Sequence, residues 1–418
     1  MVFKRLLMAG LACVLVVGRA QAQEVLTWAD CIKEARLRHP DLISAREKVN
    51  AAQADKALTR SGALPQLSAS AGADVSKTAG RAKTENYSLG VSGSQLLFDG
   101  FKTSNELAAA RERVKSAQYN YQVASSDVRL RLRSAFVGLL SAQENVGLTK
   151  NIRQRRQQNL DMVALQYQGG REHKGSLMTA EANAAQAGLD SVEAERSVEL
   201  YQRRLTKELG RSVFAPVKVS GKLSVGTIDR GKPAFEQLVE TTPFLKDLTA
   251  RKEAARFGLK ASRSDFFPQV YADAGAGKSD AFWLPRTENW SAGLRVSFPL
   301  FAGGQQQAAL AKAKAGYRQS EADERSGRDG VILTLAENWT QWLNDVDQAL
   351  VQDKFYQAAR QRADIVEAQY KSGLATFNDW TIIEDDLVRN QKALLQAKTS
   401  AFISEAAWLQ AKGETVDE

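Results

Sequence analysis

Apolar and polar residues alternate in short segments in each half of the chain. The apolar positions of the two clearest segments are Leu67, Ala69, Ala71, Ala73 and Val75 in the first half, and Trp290, Ala292, Leu294, Val296 and Phe298 in the second. Small or polar residues, mostly serine and glycine, fill the positions between them. A period of two predicts β-strands with one apolar and one polar face. We predict two β-hairpins, over about residues 67–98 and 270–301, each with a polar loop.

Aromatic residues mark the two ends of matched strands. Tyr87 and Trp290 stand at the start, and Phe98 and Phe301 follow eleven residues later. At about 3.3 Å per residue and a tilt near 45°, this separation spans roughly 25 Å, the height of the apolar band of an outer-membrane protein. The spacing predicts an aromatic girdle on strands that cross a membrane. The alternative is a half-buried sheet in a soluble domain.

Long segments rich in alanine, glutamine, arginine, glutamate and leucine follow each predicted hairpin. Proline is absent from residues 66–215 and 300–418, so nothing there forbids long helices. We predict a helix over about 103–168, on the order of 100 Å long, and shorter helices over about 42–62 and 176–209. Together the shorter helices approach the length of the long one, which predicts an antiparallel pair with one continuous and one broken partner. The segment "VRLRLR", 128–133, alternates like a strand but lies within this helical text, and we predict helix.

The two halves match each other at an offset of 203 residues. Without a gap from Pro40 to Gly170, residues of the first half meet identical ones in the second, as where "LLFDG" meets "PLFAGG". Such a register indicates the duplication of one large unit. We predict two repeats of like fold, 23–210 and 234–418, joined by an irregular or short-stranded linker, 211–233.

The first 22 residues have the pattern of an export signal. A basic start, an apolar run and "AQAQ" predict cleavage after Ala22 and leave a mildly basic mature chain whose one cysteine, Cys31, cannot form an internal disulfide. No later segment has the eighteen apolar residues of a spanning helix, so any membrane passage would be as a β-barrel. Four strands are too few for a closed barrel, which needs about eight, whereas a trimer would supply twelve.

Catalytic, metal and cofactor sites are not indicated. The two histidines, His39 and His173, are far apart, and the sequence carries no phosphate loop, dinucleotide fingerprint or nucleophile elbow. The basic run "RQRRQQ", 153–158, is interpreted as a solvated helix face, and export excludes nucleic acid as its partner. We expect no enzyme, no cofactor and no bound metal.

Taken together, the motifs resemble the TolC family of outer-membrane efflux proteins. The resemblance covers the mature chain, from "LTWADCIKEARLRHPDLISAR" through the doubled "LPQL/FPQV", "LLFDG/PLFAGG" and "QYxxG" motifs. It implies an α+β fold of long helical hairpins and four strands per chain, a homotrimer with a twelve-stranded barrel in outer-membrane lipid, and a helical tunnel in the periplasm. The implied function is a passive exit duct of a tripartite efflux or type I secretion system, with a periplasmic adaptor and an inner-membrane RND or ABC-type transporter.

The resemblance also assigns roles at the hairpin tips, near residues 169–175 and 372–378. The "Y-x-x-G" turns imply adaptor contacts at Gly170, Gly373 and Leu374, and a pore constriction or gate at Asp379, Tyr370 and Tyr167. Two family acidic positions differ here, being Ser176 and Ile382, so we expect the closed state to be held in another way. The alternative for the tyrosines is packing between helices, and for Gly170, Gly373 and Asp379 it is helix capping.

Two classes of function remain open at this stage. The first is the exit duct, for small molecules such as drugs, dyes or metal ions, or for a secreted polypeptide. The second is a periplasmic coiled-coil scaffold whose sheets never enter lipid.

Overall fold

The computed structural model describes residues 24–226 and 228–417. The predicted signal peptide, 1–22, lies outside the described residues. In chain order the elements are β1 (Glu24–Leu26), α1 (Trp28–Arg38), α2 (Pro40–Ser61), β2 (Gln66–Ser76), β3 (Thr84–Phe98), α3 (Lys102–Gln168), α4 (Lys174–Glu208), β4 (Val217–Val219), α5 (Phe235–Leu238), a 3-10 turn (Val239–Thr241), α6 (Pro243–Ser264), β5 (Gln269–Asp280), β6 (Thr287–Ser297), α7 (Gln305–Lys371) and α8 (Phe377–Lys412).

The long helices α3 and α7 each contain 67 residues. Their bounds confirm the prediction of continuous helices over the two proline-free segments. The segment 128–133 is helical, as predicted: Val128 and Leu132, one turn apart, are both fully buried on one helix face. No helix among the described residues is long and apolar enough to span a membrane.

The elements of the second half repeat those of the first. Helices α2 and α6 each have 22 residues, and α6 and α7 begin 203 residues after α2 and α3, the offset found in the sequence. The halves differ before these helices, where α1 has 11 residues in one repeat and α5 with its 3-10 turn occupies the matching place in the other. The linker contains β4, which pairs in parallel with β1; the sequence patterns did not predict β1 or α1.

The shorter helices pack beside the long ones. Both α2 and α4 contact α3, as predicted for a broken partner, and α6 lies between α3 and α7. Buried Asp247 of α6 accepts a hydrogen bond from Asn120 of α3 at 2.8 Å, and Lys252 of α6 forms an ion pair with Glu324 of α7. Helix α6 therefore joins the two repeats.

One antiparallel sheet has the strand order β2-β3-β5-β6. Residues paired directly across strands share a face, so the register defines the two faces. Apart from Gly93 and Gln95, and inward of its outer rim, one face is apolar: Leu67, Ala69, Ala71, Ala73, Val75, Tyr87, Leu89, Val91, Val270, Ala272, Ala274, Ala276, Trp290, Ala292, Leu294 and Val296. The other is mainly small and polar: Ser68, Ser70, Gly72, Asp74, Asn86, Ser88, Gly90, Ser92, Ser94, Tyr271, Asp273, Gly275, Gly277, Ser279, Asn289, Ser291, Gly293 and Arg295.

The predicted end of the last strand is wrong. Strand β6 ends at Ser297, so Phe301 lies in the connection to α7 rather than at the end of a strand as Phe98 does. Pro299 explains the difference, because it has no N–H for a ladder hydrogen bond and restricts the residue before it. The first repeat has Leu96 at the corresponding position, and β3 continues to Phe98 after a local register shift.

Gly210, directly after α4, has a conformation and an environment that only glycine fits. Its φ is +74°, and a Cβ atom there would lie 2.4 Å from the carbonyl oxygen of Arg38, where α1 meets α2. Gly188, within α4, has open space around it. The end of α4 therefore depends on glycine, whereas its middle does not.

We expect Gly210→Ala to lower the free energy of unfolding by about 1–3 kcal/mol, through left-handed strain and the clash with Arg38. Gly188→Ala is the matched control and should be neutral or raise stability by up to about 1 kcal/mol, since alanine favours helix. Denaturant unfolding followed by circular dichroism measures both. Equal effects would contradict the assigned role of Gly210.

Candidate functional site

The two tip loops, residues 169–173 and 372–376, connect α3 to α4 and α7 to α8. Gly170 and Gly373 have φ values of +74° and +78°, and the loops close with matching backbone hydrogen bonds from Arg171 to Gln166 and from Leu374 to Gln369, both 2.8 Å. These bonds and positive φ values are typical of a glycine helix cap. The capping interpretation of Gly170 and Gly373 describes their geometry, and Leu374 beside Gly373 is 81% exposed.

Tyr370 lies in the junction between the two hairpins. Its ring stacks on Trp380 with 4.4 Å between centroids, and it packs in one apolar cluster with Val163 and Ala180 of the first hairpin. Its hydroxyl donates a hydrogen bond to Glu172 Oε1 at 3.3 Å, and burial, with Glu172 adding to it, raises the pKa of Tyr370. Within one chain this side chain therefore holds the hairpins together.

Tyr167 occupies the matching position of the first hairpin but is partly exposed. The duplicated "QYxxG" motif thus places one tyrosine between the hairpins and the other at the surface. Glu172, the partner of Tyr370, belongs to no motif found in the sequence, and only the folded structure brings it to the tyrosine.

Asp379 and Ser176 occupy the same position of their helices, the third residue after the N-cap. Thr376 caps α8: its Oγ1 accepts a hydrogen bond from the Asp379 N–H at 3.2 Å and lies 2.7 Å from Asp379 Oδ2. His173 caps α4 in the same way, with Nδ1 accepting from the N–H of Ser176 at 3.2 Å. Asp379 is exposed and Ser176 is buried. Ile382, one turn beyond Asp379, is exposed.

An arginine cluster joins the hairpins roughly 20 Å from the tip. It consists of Arg155 and Arg156 of α3, Glu367 of α7, and Glu384 and Asp385 of α8. Arg155 Nη2 donates to Glu384 Oε1 at 2.7 Å and to Glu367 Oε2 at 3.3 Å, and Arg156 pairs with Asp385. The interpretation of "RQRRQQ" as a solvated face is wrong for these two arginines, because Arg156 is buried and both bind acids of the other hairpin.

Glu384 is the most buried member of the arginine cluster, at 1% exposure. Burial raises its pKa above the usual value, while the charge of Arg155 opposes that shift. Its second oxygen, Oε2, has no hydrogen-bond partner among the described residues, and neither has the buried Nε1 of Trp380 one turn earlier. The carboxylate therefore depends strongly on Arg155. The sequence did not reveal this pair, since 229 residues separate its members and neither lies in a recognised motif.

The sheet presents the other candidate surface. Trp290 is 81% exposed on the apolar face, Phe98 and Phe301 are exposed near the helices, and Tyr87 is half-buried. On the polar face, Asp273 accepts from Ser94 Oγ at 2.7 Å and from Arg295 Nε at 3.0 Å, while the arginine lies over the ring of Tyr271. Serine and glycine leave most of this face free of large side chains.

The fold and its two ends define a class of protein, a membrane channel with a long helical extension. A sheet with one apolar and one polar face can separate lipid from water, and the helices extend the same chain on the order of 100 Å beyond it. The model of the outer membrane efflux protein family matches residues 31–211 and 234–414, one match in each half. The chain belongs to this family.

Several relatives support the assignment. Outer membrane efflux protein BepC of Brucella suis biovar 1 is 24% identical over 95% of this chain and 87% of its own. Alkaline protease secretion protein AprF of Pseudomonas aeruginosa is 25% identical over 68% of this chain and 63% of its own. Among solved structures, CusC superposes with a TM-score of 0.83 at 19% identity, covering 91% of each chain. VceC of Vibrio cholerae gives 0.80 at 21% identity, covering 92% of this chain and 96% of its own.

Family and fold settle the broad function predicted from the sequence. The chain is an outer-membrane channel with a periplasmic helical tunnel, and it is a transport component rather than a member of an enzyme family. As in its relatives of efflux and secretion systems, its partners are an adaptor and an inner-membrane transporter. The interpretation as a periplasmic scaffold is thereby replaced.

The arginine cluster should respond unequally to loss of either partner. Arg155→Gln leaves Glu384 buried without its ion pair, and we expect it to lower the free energy of unfolding by about 2 kcal/mol or more. Glu384→Gln leaves Arg155 partly exposed and still paired with Glu367, so its cost should be smaller. Denaturant unfolding of both variants measures the difference, and equal losses would contradict the dependence of Glu384 on Arg155.

The loss should also depend on pH. A raised pKa of Glu384 means that the folded state binds more protons than the unfolded state, so stability falls as pH rises from 4.5 through the folded-state pKa. Because Arg155→Gln removes the first opposing charge, this variant should lose more stability at about pH 7 than at about pH 5. Glu384→Gln, which cannot ionise, serves as the control.

Proposed function

We propose that three copies of the chain form a homotrimer that closes a twelve-stranded barrel in the outer membrane. Each copy contributes two repeats, 23–210 and 234–418, joined by the linker 211–233. The observation that carries the proposal is the four-stranded sheet, apolar on one face, whose edge strands β2 and β6 have no further partner among the described residues. Unpaired edges are not tolerated in lipid, so neighbouring copies must supply the missing strands.

The two faces of the sheet then have different surroundings. The apolar face, including Trp290 and Leu294, contacts outer-membrane lipid, with Tyr87, Phe98 and Trp290 near its margins. The serine- and glycine-rich face lines the duct. The helices continue the duct through the periplasm towards an inner-membrane transporter of the RND or ABC type.

The tip loops are the end that contacts the periplasmic adaptor. Their support is the exposure of Leu374 and Tyr167 beside the glycine turns at Gly170 and Gly373, because exposed apolar residues at a helical tip are typical of protein contacts. The same end holds the gate. Threefold symmetry would bring three copies of Asp379 around the axis, while Tyr370 and the arginine cluster hold the hairpins of each copy together.

The orientation of the sheet predicts opposite effects at neighbouring positions. Trp290→Asp places a charge on the lipid-facing side and should sharply reduce membrane insertion, whereas Ser291→Asp, on the duct side, should insert almost normally. Heat-modifiable membrane fractions report insertion, and mass measurement in mild detergent should show trimers for the wild type and Ser291→Asp. Equal insertion of both variants would refute the assignment of faces. A stable wild-type monomer, or a soluble species released by osmotic shock, would refute the barrel itself.

The charge of Asp379 should determine ion preference at the gate. Asp379→Asn removes the carboxylate but keeps an oxygen near Thr376, so the stability change should stay below about 1 kcal/mol. In planar bilayers the variant should lose cation preference and resist block by a multivalent cation added on the periplasmic side. Asp364→Asn, an exposed charge farther up the same hairpin, is the control. Unchanged reversal potential and block would assign Asp379 to helix capping alone.

A further inference from the structure

The loop between β5 and β6 carries three large apolar side chains in a row. Phe282, Trp283 and Leu284 are 76%, 71% and 68% exposed. We name these three residues the aromatic ledge. An apolar cluster that water would surround is costly, and such clusters mark contact surfaces.

The duplicated repeat shows that the hairpin does not need these residues. At the matching positions the first repeat has Ala79, Gly80 and Arg81, and its loop turns at Gly80 with a φ of +82°. The second loop turns with Leu284 at a φ of +68°, a conformation that costs a residue with a side chain about 1 kcal/mol or more. The ledge thus replaces a small, polar turn with an exposed, strained and apolar one.

The ledge lies on the apolar side of the sheet. The Trp283 ring meets the ring of Tyr87 edge-on, with 5.7 Å between centroids and an interplanar angle of 82°. Tyr87 belongs to the apolar face, in register with Ala73. The ledge therefore extends that face outward, away from the serine- and glycine-rich face.

The charges beside the ledge are largely paired. Lys278 pairs with Glu288 at 3.0 Å and Lys83 with Glu85 at 2.7 Å, while Asp280 accepts a hydrogen bond from the N–H of Ala281. Two closed ion pairs form a polar rim directly beyond the alanine and leucine rows. Tryptophan is favoured at such a boundary between apolar and polar surroundings, because its ring is apolar and its N–H is a donor.

We propose that the aromatic ledge inserts into the boundary between headgroups and acyl chains in the outer leaflet of the membrane. Its partner is lipid, and each copy of the chain contributes one such anchor on the outside of the barrel. The inference rests on the proposed lipid-facing side of the sheet. It adds a contact made by a loop that the sequence patterns assigned to a polar connection.

The position of Trp283 can be measured by fluorescence quenching in the full-length chain. The protein is reconstituted in phosphatidylcholine vesicles that carry bromine on the acyl chain, either near the headgroup or near the chain end. Because the chain has seven tryptophans, the contribution of Trp283 is the difference between the wild type and Trp283→Phe. Trp290→Phe gives the same difference for a residue on the sheet itself. We expect quenching of Trp283 by the shallow bromines and little by the deep ones.

A loop exchange tests the anchoring directly. Replacing the ledge with its counterpart from the first repeat, by Phe282→Ala, Trp283→Gly and Leu284→Arg, should retain the fold and reduce transfer from detergent into vesicles several-fold. Two results would overturn the proposal: Trp283 unquenched while Trp290 is quenched, or a disulfide between copies in Trp283→Cys, which would place the ledges together at the pore mouth. If neither tryptophan is quenched, the proposed lipid face has failed, and the ledge with it.

Discussion

The unbroken backbone hydrogen bonding of α3 and α7 sets the distance between the sheet and the tip loops. Each helix runs for 67 residues, on the order of 100 Å, and the shorter helices lie along it. Small residues such as Ala109, Ala110 and Ala142 are buried on α3, which allows neighbouring helices to approach closely. The absence of proline is therefore as important to this fold as any contact, because one break would disconnect the position of the sheet from that of the tips.

Patterns that repeat over short distances were predictable from the sequence. The period of two in the strands defined both faces of the sheet, and the proline-free text defined α3 and α7 within a residue or so. The contacts that join distant segments were not predictable. Arg155 and Glu384 lie in charge-rich helices where many pairings are possible, and only the packing of α3 against α8 selects this one. The position of α6 between the repeats has the same origin.

Duplication gives each feature a second copy, and the second copy has been free to change. Thr376 and His173 cap matching helices with different side chains, and Tyr370 is buried where Tyr167 is exposed. The helices and strands that carry the architecture kept their register, whereas loops and caps diverged. A comparison of the two repeats therefore separates what the fold requires from what was added.

The small side chains on the polar face of the sheet have a consequence for flow. Resistances in series add, so the narrowest section of a duct controls the current through the whole. With serine and glycine along most of one face, the backbone itself sets the width at the sheet, and little there can be widened by mutation. Control of passage then belongs to the far end, and once that end opens, the cluster of Tyr271, Asp273 and Arg295 becomes the next section to limit conductance.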